Sequence, residues 1–127
     1  MKYKYTDVDF DEMSWHDCPI YSMKFDNEVE FDLDYIMEWI RLPDGDFEYL
    51  IAPATLKFID VTKLVVSIET DFINGLEIVN IERINHAEWV IELQEGEIRI
   101  SAPKFEQFLR KSPTRSKRMA LSDENRV

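Results

Sequence analysis

A chain of 127 residues, 45% hydrophobic and 13% aromatic, holds enough apolar material for one core and too little length for two ordinary domains. Its formal net charge of −11 repels phosphate backbones, whose binding rests on neutralising Lys and Arg, so nucleic acid is not an expected partner. The single cysteine, Cys18, excludes an internal disulfide, and no apolar run is long enough for a membrane span or the core of a signal peptide; the expected address is the cytoplasm.

Ile20 to Phe25 predicts a first strand, followed by the polar turn Asp26-Asn27-Glu28. The clearest signal comes next. In Val29-Glu30-Phe31-Asp32-Leu33-Asp34-Tyr35 every odd position is apolar and every even one acidic. A period of two puts Val29, Phe31, Leu33, Tyr35, Met37 and Trp39 on one face of a long strand. The other face carries Glu30, Asp32, Asp34 and Glu38, with Ile36 and Ile40 making it partly apolar towards its end.

Leu42-Pro43-Asp44-Gly45-Asp46 reverses the chain, and Phe47 to Ala52 predicts a further strand, interrupted at Pro53 because proline cannot donate to a ladder. Thr55 to Ile59 and Leu64 to Thr70 are β-branched and aromatic runs, Asn74-Gly75 marks a reversal, and Leu76 to Ile84 reads as another strand. Trp89 to Leu93 and Ile98 to Ile100 form a hairpin around Gln94-Glu95-Gly96-Glu97. The spacing of Phe105, Phe108 and Leu109 after Pro103 predicts a short helix over 103–111.

Seven or eight short strands predict a mainly β fold, an antiparallel sandwich or open barrel with one short C-terminal helix. Residues 1–111 make one such domain. Residues 112–127 form a basic polar tail, flexible or docked on the domain. The charge is uneven, since residues 1–100 hold 23 of the 26 acids but only 8 of the 15 Lys and Arg.

Ser14-Trp15-His16-Asp17-Cys18 is the densest group of chemically capable side chains. An imidazole beside a thiol suits nucleophilic chemistry, but no third partner is visible to complete a triad. The plainer reading has Trp15 and Cys18 packed, with His16 and Asp17 satisfying backbone groups. No CxxC, HxxxH or HExxH spacing calls for a metal, Asp44-Gly45-Asp46 lacks the rest of a calcium loop, and three glycines leave no phosphate-cradling loop. Neither cofactor nor metal is expected, and no residue is assigned a catalytic role. The acidic face reads first as a solvated surface and second as a partner-binding surface.

Met13-Ser14-Trp15-His16-Asp17, Ile51-Ala52-Pro53-Ala54-Thr55-Leu56, the Trp89 hairpin and Leu121-Ser122-Asp123 together resemble a family of small uncharacterised bacterial β-domains with a Trp-His-Asp opening. Some members of that group are similar to immunity proteins of polymorphic toxin systems. The resemblance spans most of the chain, implies an ordered tail, and carries no catalytic residue.

The expectation is therefore a non-enzymatic protein-binding domain, an immunity protein that neutralises a basic toxin in its sharper form. Trp15, His16, Asp17, Asp32, Asp34 and Glu38 are the candidate contacts. The competing expectation is a β-barrel or sandwich holding a small ligand near His16 and Cys18. A third is a homo-oligomer joined through an exposed sheet edge.

Overall fold

The computed structural model describes residues 2–73 and 75–126. Its strands are β1 (Lys4–Thr6), β2 (Pro19–Phe25), β3 (Val29–Arg41), β4 (Phe47–Ile59), β5 (Lys63–Ile68), β6 (Leu76–Asn85), β7 (Glu88–Leu93), β8 (Gly96–Ser101), β9 (Lys104–Leu109) and β10 (Thr114–Ser116). A 3-10 helix, Asp7–Glu12, follows β1, and one short α-helix, α1 (Asp123–Arg126), stands near the C-terminus. Every strand pairing is antiparallel, in one open sheet of order β1-β9-β4-β3-β2-β6-β7-β8-β5, with β10 added to β4. No helix among the described residues is long and apolar enough to cross a membrane.

The joint between β2 and β6 is only two residue pairs wide, Pro19 with Glu77 and Ile20 with Leu76. The sheet folds over at this joint, so that both halves face one core. Trp89 of β7 meets Phe58 of β4 and Phe105 of β9 at ring separations of 5.8 and 5.3 Å, both edge-on, the arrangement aromatic quadrupoles prefer.

The mainly antiparallel fold with one short C-terminal helix is as expected, but that helix is Asp123–Arg126 and not the 103–111 segment, and the strands among the described residues number ten rather than seven or eight. The segments expected as two strands around Pro53 are the single strand β4. Pro53 is tolerated because its carbonyl accepts from Arg110 N–H on the side away from β3. Its nitrogen shares that direction, so the missing N–H costs no bond to β3. The segment expected as a helix is β9, in which Phe105, Gln107 and Leu109 are buried in strict alternation. Gln107 hides that period, because a polar residue fills an inward position.

Register matters most in the hairpin of β3 and β4, each 13 residues long. Up to Tyr35 the expected face holds: Leu33 pairs with Ala54 and Tyr35 with Ala52, all buried. A bulge between Ile36 and Glu38 then inserts one residue, and Glu38 pairs with Leu50, Trp39 with Tyr49. One extra residue exchanges the two faces. Trp39, expected inside, is 44% exposed.

Gly96 (φ 150°), closing the tight β7–β8 connection, is required twice over. Its φ suits only glycine, and a Cβ there would stand 1.9 Å from the Ser67 carbonyl oxygen of β5.

The tail is docked. Thr114, Arg115 and Ser116 pair with Ile51, Leu50 and Tyr49, and Leu121 is buried in the core. Asn74 of the expected Asn-Gly reversal lies outside the described residues.

Candidate functional site

The Trp15–Cys18 corner is a four-residue turn closed by Cys18 N–H to the Trp15 carbonyl at 3.0 Å. Asp17 at φ 64° provides the left-handed third residue that a type II turn needs, a conformation Asp tolerates better than most. Asp17 N–H and the Cys18 carbonyl both bond to the Ile78 backbone, at 2.8 and 2.9 Å, anchoring the turn to β6.

This turn separates side chains that a straight strand would place on one face. Trp15 goes inward against Phe10, Tyr35 and Phe105, and its indole N–H donates to Gln107 Oε1 at 2.7 Å. Cys18 also goes inward, fully buried, with Sγ accepting from Ile36 N–H at 3.4 Å. Burial pushes its thiol up to about 12, so the nucleophilic thiolate is suppressed at neutral pH. His16 points outward, its Nδ1 at 3.0 Å from the Val79 carbonyl and its Nε2 at 3.4 Å from Asp17 Oδ2. The imidazole and thiol expected to share a face are therefore divided between solvent and core.

The acids of β3 also part company. Asp32 pairs with Arg110, whose guanidinium also reaches Thr55 Oγ1 at 3.0 Å. Asp34 is fully buried beneath the tail, so the expected solvated row is broken at its centre. Its Oδ2 accepts from Tyr21 Oη at 2.6 Å and Leu121 N–H at 2.9 Å, while Oδ1 has no partner among the described residues. The Arg126 guanidinium lies 3.5 Å from the centre of the Tyr21 ring, closing the lid over this corner. Asp34 is a clasp for the tail and meets no partner while the tail is docked.

Burial raises the Asp34 carboxyl above its ordinary value, ahead of the opposing hydrogen bonds from Tyr21 and Leu121. The folded protein thus holds this proton more tightly than the unfolded chain. The Asp34 contribution to stability is full below the unfolded carboxyl value and is lost as pH rises through the folded one. Asp34→Asn is expected to remove that slope while keeping an acceptor for both donors. Asp34→Ala orphans two donors, at about 1–3 kcal/mol each if they stay buried. Urea unfolding of the three proteins across pH 4–8, with trypsin cleavage at Arg115–Arg118 as the tail reporter, checks this. An Asn variant with the wild-type slope contradicts it.

Glu38 is exposed at the bulge, and beside it stands a cluster the alternation did not predict. Trp39 lies 5.2 Å from Tyr49 and 6.1 Å from Phe47, both edge-on, and its indole stacks with His16 at 6.3 Å and 21°. Phe47 is 40% exposed. Counting back from the turn at Leu42–Asp46 does place Trp39 opposite Tyr49. That the pair faces outward depends on the bulge at Met37, for which the sequence carries no signal. Asp44 and Asp46 border the cluster without a Lys or Arg at ion-pair distance among the described residues, although Lys117 shares the hollow beside Asp44, Asp46, Phe47 and Tyr49. The structure brings His16 and Asp17 to one surface with these aromatics, leaves Glu38, paired with Leu50, on the other face of the hairpin, and sends Trp15 and Asp34 into the interior.

An apolar cavity lies elsewhere, about 220 Å³ between β2, β5 and β6, lined by Ile20, Met23, Phe31, Ile68, Leu76 and Ile98 among others. No group of three or more His, Cys, Asp or Glu among the described residues could hold a metal. No family model, curated protein or solved structure matches the chain.

Proposed function

We propose that this chain is a non-enzymatic, cytoplasmic protein-binding domain that docks a basic protein on the surface formed by His16, Trp39, Phe47 and Tyr49, and that neutralisation of a basic toxin is the role this best serves. The observation carrying the proposal is Trp39, a large aromatic held rigidly by three ring contacts yet 44% exposed. Pre-ordered aromatics lose little entropy on binding and dominate interface energetics. The partner's sign follows from the net charge of −11, with only seven Lys or Arg ion pairs among the described residues to offset the acids. Such a field accelerates encounter with a basic protein and suppresses encounter with an acidic one.

The test compares two immobilised proteins. Wild type should retain a basic protein from extract of its own cells at low salt and release it at about 1 M salt, where the Debye length falls to about 3 Å. Trp39→Ala should fail to retain that protein. Equal retention by both contradicts the proposal.

The apolar cavity beside Phe31 and Ile98 favours a second reading, a domain that binds a small apolar ligand. That ligand would lie between β2 and β5, away from His16 and Cys18. A thermal shift with medium-chain fatty acids, lost in Ile98→Trp, is the result that reading expects.

A further inference from the structure

We propose that β5 is a self-pairing edge, and that two copies of the chain join through it in an antiparallel β5–β5 ladder centred on Val66.

The two outer strands of the sheet are unlike. At one end β1 is three residues long, with Lys4 at its start and Lys2 just before it, which form ion pairs with Glu106 and Asp9. Shortness and lysine are the usual protections of an edge. At the other end β5 is six residues long, with Val65 43% and Val66 42% exposed, and no proline or bulge interrupts it.

The direction of its free backbone groups can be read from its pairing with β8. Glu69 N–H donates to the Glu95 carbonyl, and the Ser67 carbonyl points at Gly96. Backbone N–H and C=O of one strand residue point the same way, and successive residues alternate. Odd positions therefore serve β8, and the N–H and C=O of Leu64, Val66 and Ile68 face away from it.

A two-fold axis through Val66 uses all three. Val66 pairs with Val66 of the second copy, and Leu64 with Ile68, twice, so that all of the outward donors and acceptors meet partners. The same register sets Lys63 opposite Glu69 on both sides of the axis, in the closer, non-hydrogen-bonded type of pair where opposite charges attract. Shifting the axis to Val65 leaves Glu69 opposite Val61. An axis at Ser67 would set Lys63 opposite Asp71 but would pair Leu64 with Thr70, outside the strand. Only the Val66 axis keeps every hydrogen-bonded pair within β5 and sets Lys63 opposite Glu69, and the partner this register fits is the chain itself. The surface is separate from the aromatic cluster on the β3–β4 hairpin, so the dimer leaves that cluster free.

The discriminating substitution follows from the same geometry. Val66 N–H points away from β8, so Val66→Pro removes an outward donor and no intramolecular ladder bond, as edge-strand prolines do. Sedimentation equilibrium of the full chain in physiological salt should show a dimer for wild type and a monomer for Val66→Pro, with matching far-UV circular dichroism. Lys63→Glu sets like charges opposite each other twice and should weaken the dimer about tenfold. Lys63→Glu combined with Glu69→Lys should restore it, a rescue that only this register provides. A wild-type chain that remains monomeric at about 100 μM, well above the micromolar range of ordinary association, overturns the proposal. So does a dimer unchanged in Val66→Pro or Lys63→Glu.

Discussion

Trp15→Ala is expected to lower the unfolding free energy by about 3–5 kcal/mol, the usual cost of deleting a buried large aromatic. Trp15 is 3% exposed and packs against Phe10, Tyr35 and Phe105, joining the 3-10 helix to β3 and β9. The loss reaches beyond packing, because its indole N–H is the partner of Gln107 Oε1, and Gln107 Nε2 already lacks one among the described residues. Removing the indole leaves a fully buried amide without a partner. Trp15→Phe separates the two contributions: it keeps most of the ring packing and loses only the donor, at about 1–3 kcal/mol. Urea denaturation followed by far-UV circular dichroism measures both. A Trp15→Ala protein within about 0.5 kcal/mol of wild type, the range of an ordinary surface change, contradicts the assignment of Trp15 to the core.

Trp39→Ala should give the opposite pattern. Its ring contacts are to His16, Phe47 and Tyr49 at the surface, so stability should move by about 1 kcal/mol or less. Affinity for the captured partner should fall by about 2 kcal/mol or more, roughly thirtyfold in Kd, the scale of a central aromatic at an interface. Titration calorimetry at low salt gives the affinity, and thermal unfolding the stability. Unchanged affinity with lowered stability makes Trp39 a structural residue and removes the cluster as a docking surface.

The contrast between these tryptophans shows what periodicity can and cannot read. The alternation over Val29–Tyr35 reports a half-buried strand because each of those residues obeys one local rule, and Val29, Phe31, Leu33 and Tyr35 are indeed buried. Beyond Tyr35 the rule fails at one inserted residue, and Trp39 changes sides. The position of a bulge is set by how β3 meets β4, not by the composition of β3 alone. The helix expected over 103–111 fails for a related reason. Gln107 masks the alternation of β9, and it is inside only because Trp15, 92 positions earlier, gives it a hydrogen bond. Asp34 belongs to the same class: locally it looks like a solvated acid, and it is buried because the tail returns over it. The basic residues of that tail were legible, and some of their purpose is now visible in Arg115 bonding to Glu48 and Arg126 lying over Tyr21.

Of the six candidate contacts, His16 and Asp17 border one surface, Glu38 is exposed on the other face of the hairpin, and Asp32 is engaged with Arg110. Phe47 and Tyr49 were visible only as members of a strand. Pairing arithmetic from the Pro43-Asp44-Gly45 turn could have placed them beside Trp39. Their exposure could not have been read without the register.

Hydrogen–deuterium exchange of the chain alone and in complex with its captured basic partner tests most directly where docking occurs. Slowed exchange is expected at Ser14–Asp17 and across Met37–Tyr49, with β5 and the cavity-lining part of β2 unchanged. Protection confined to Ile20–Met23 and the 68–76 segment, with the Trp39 hairpin exchanging as in the free chain, would contradict the proposed surface and move the functional site to the apolar cavity.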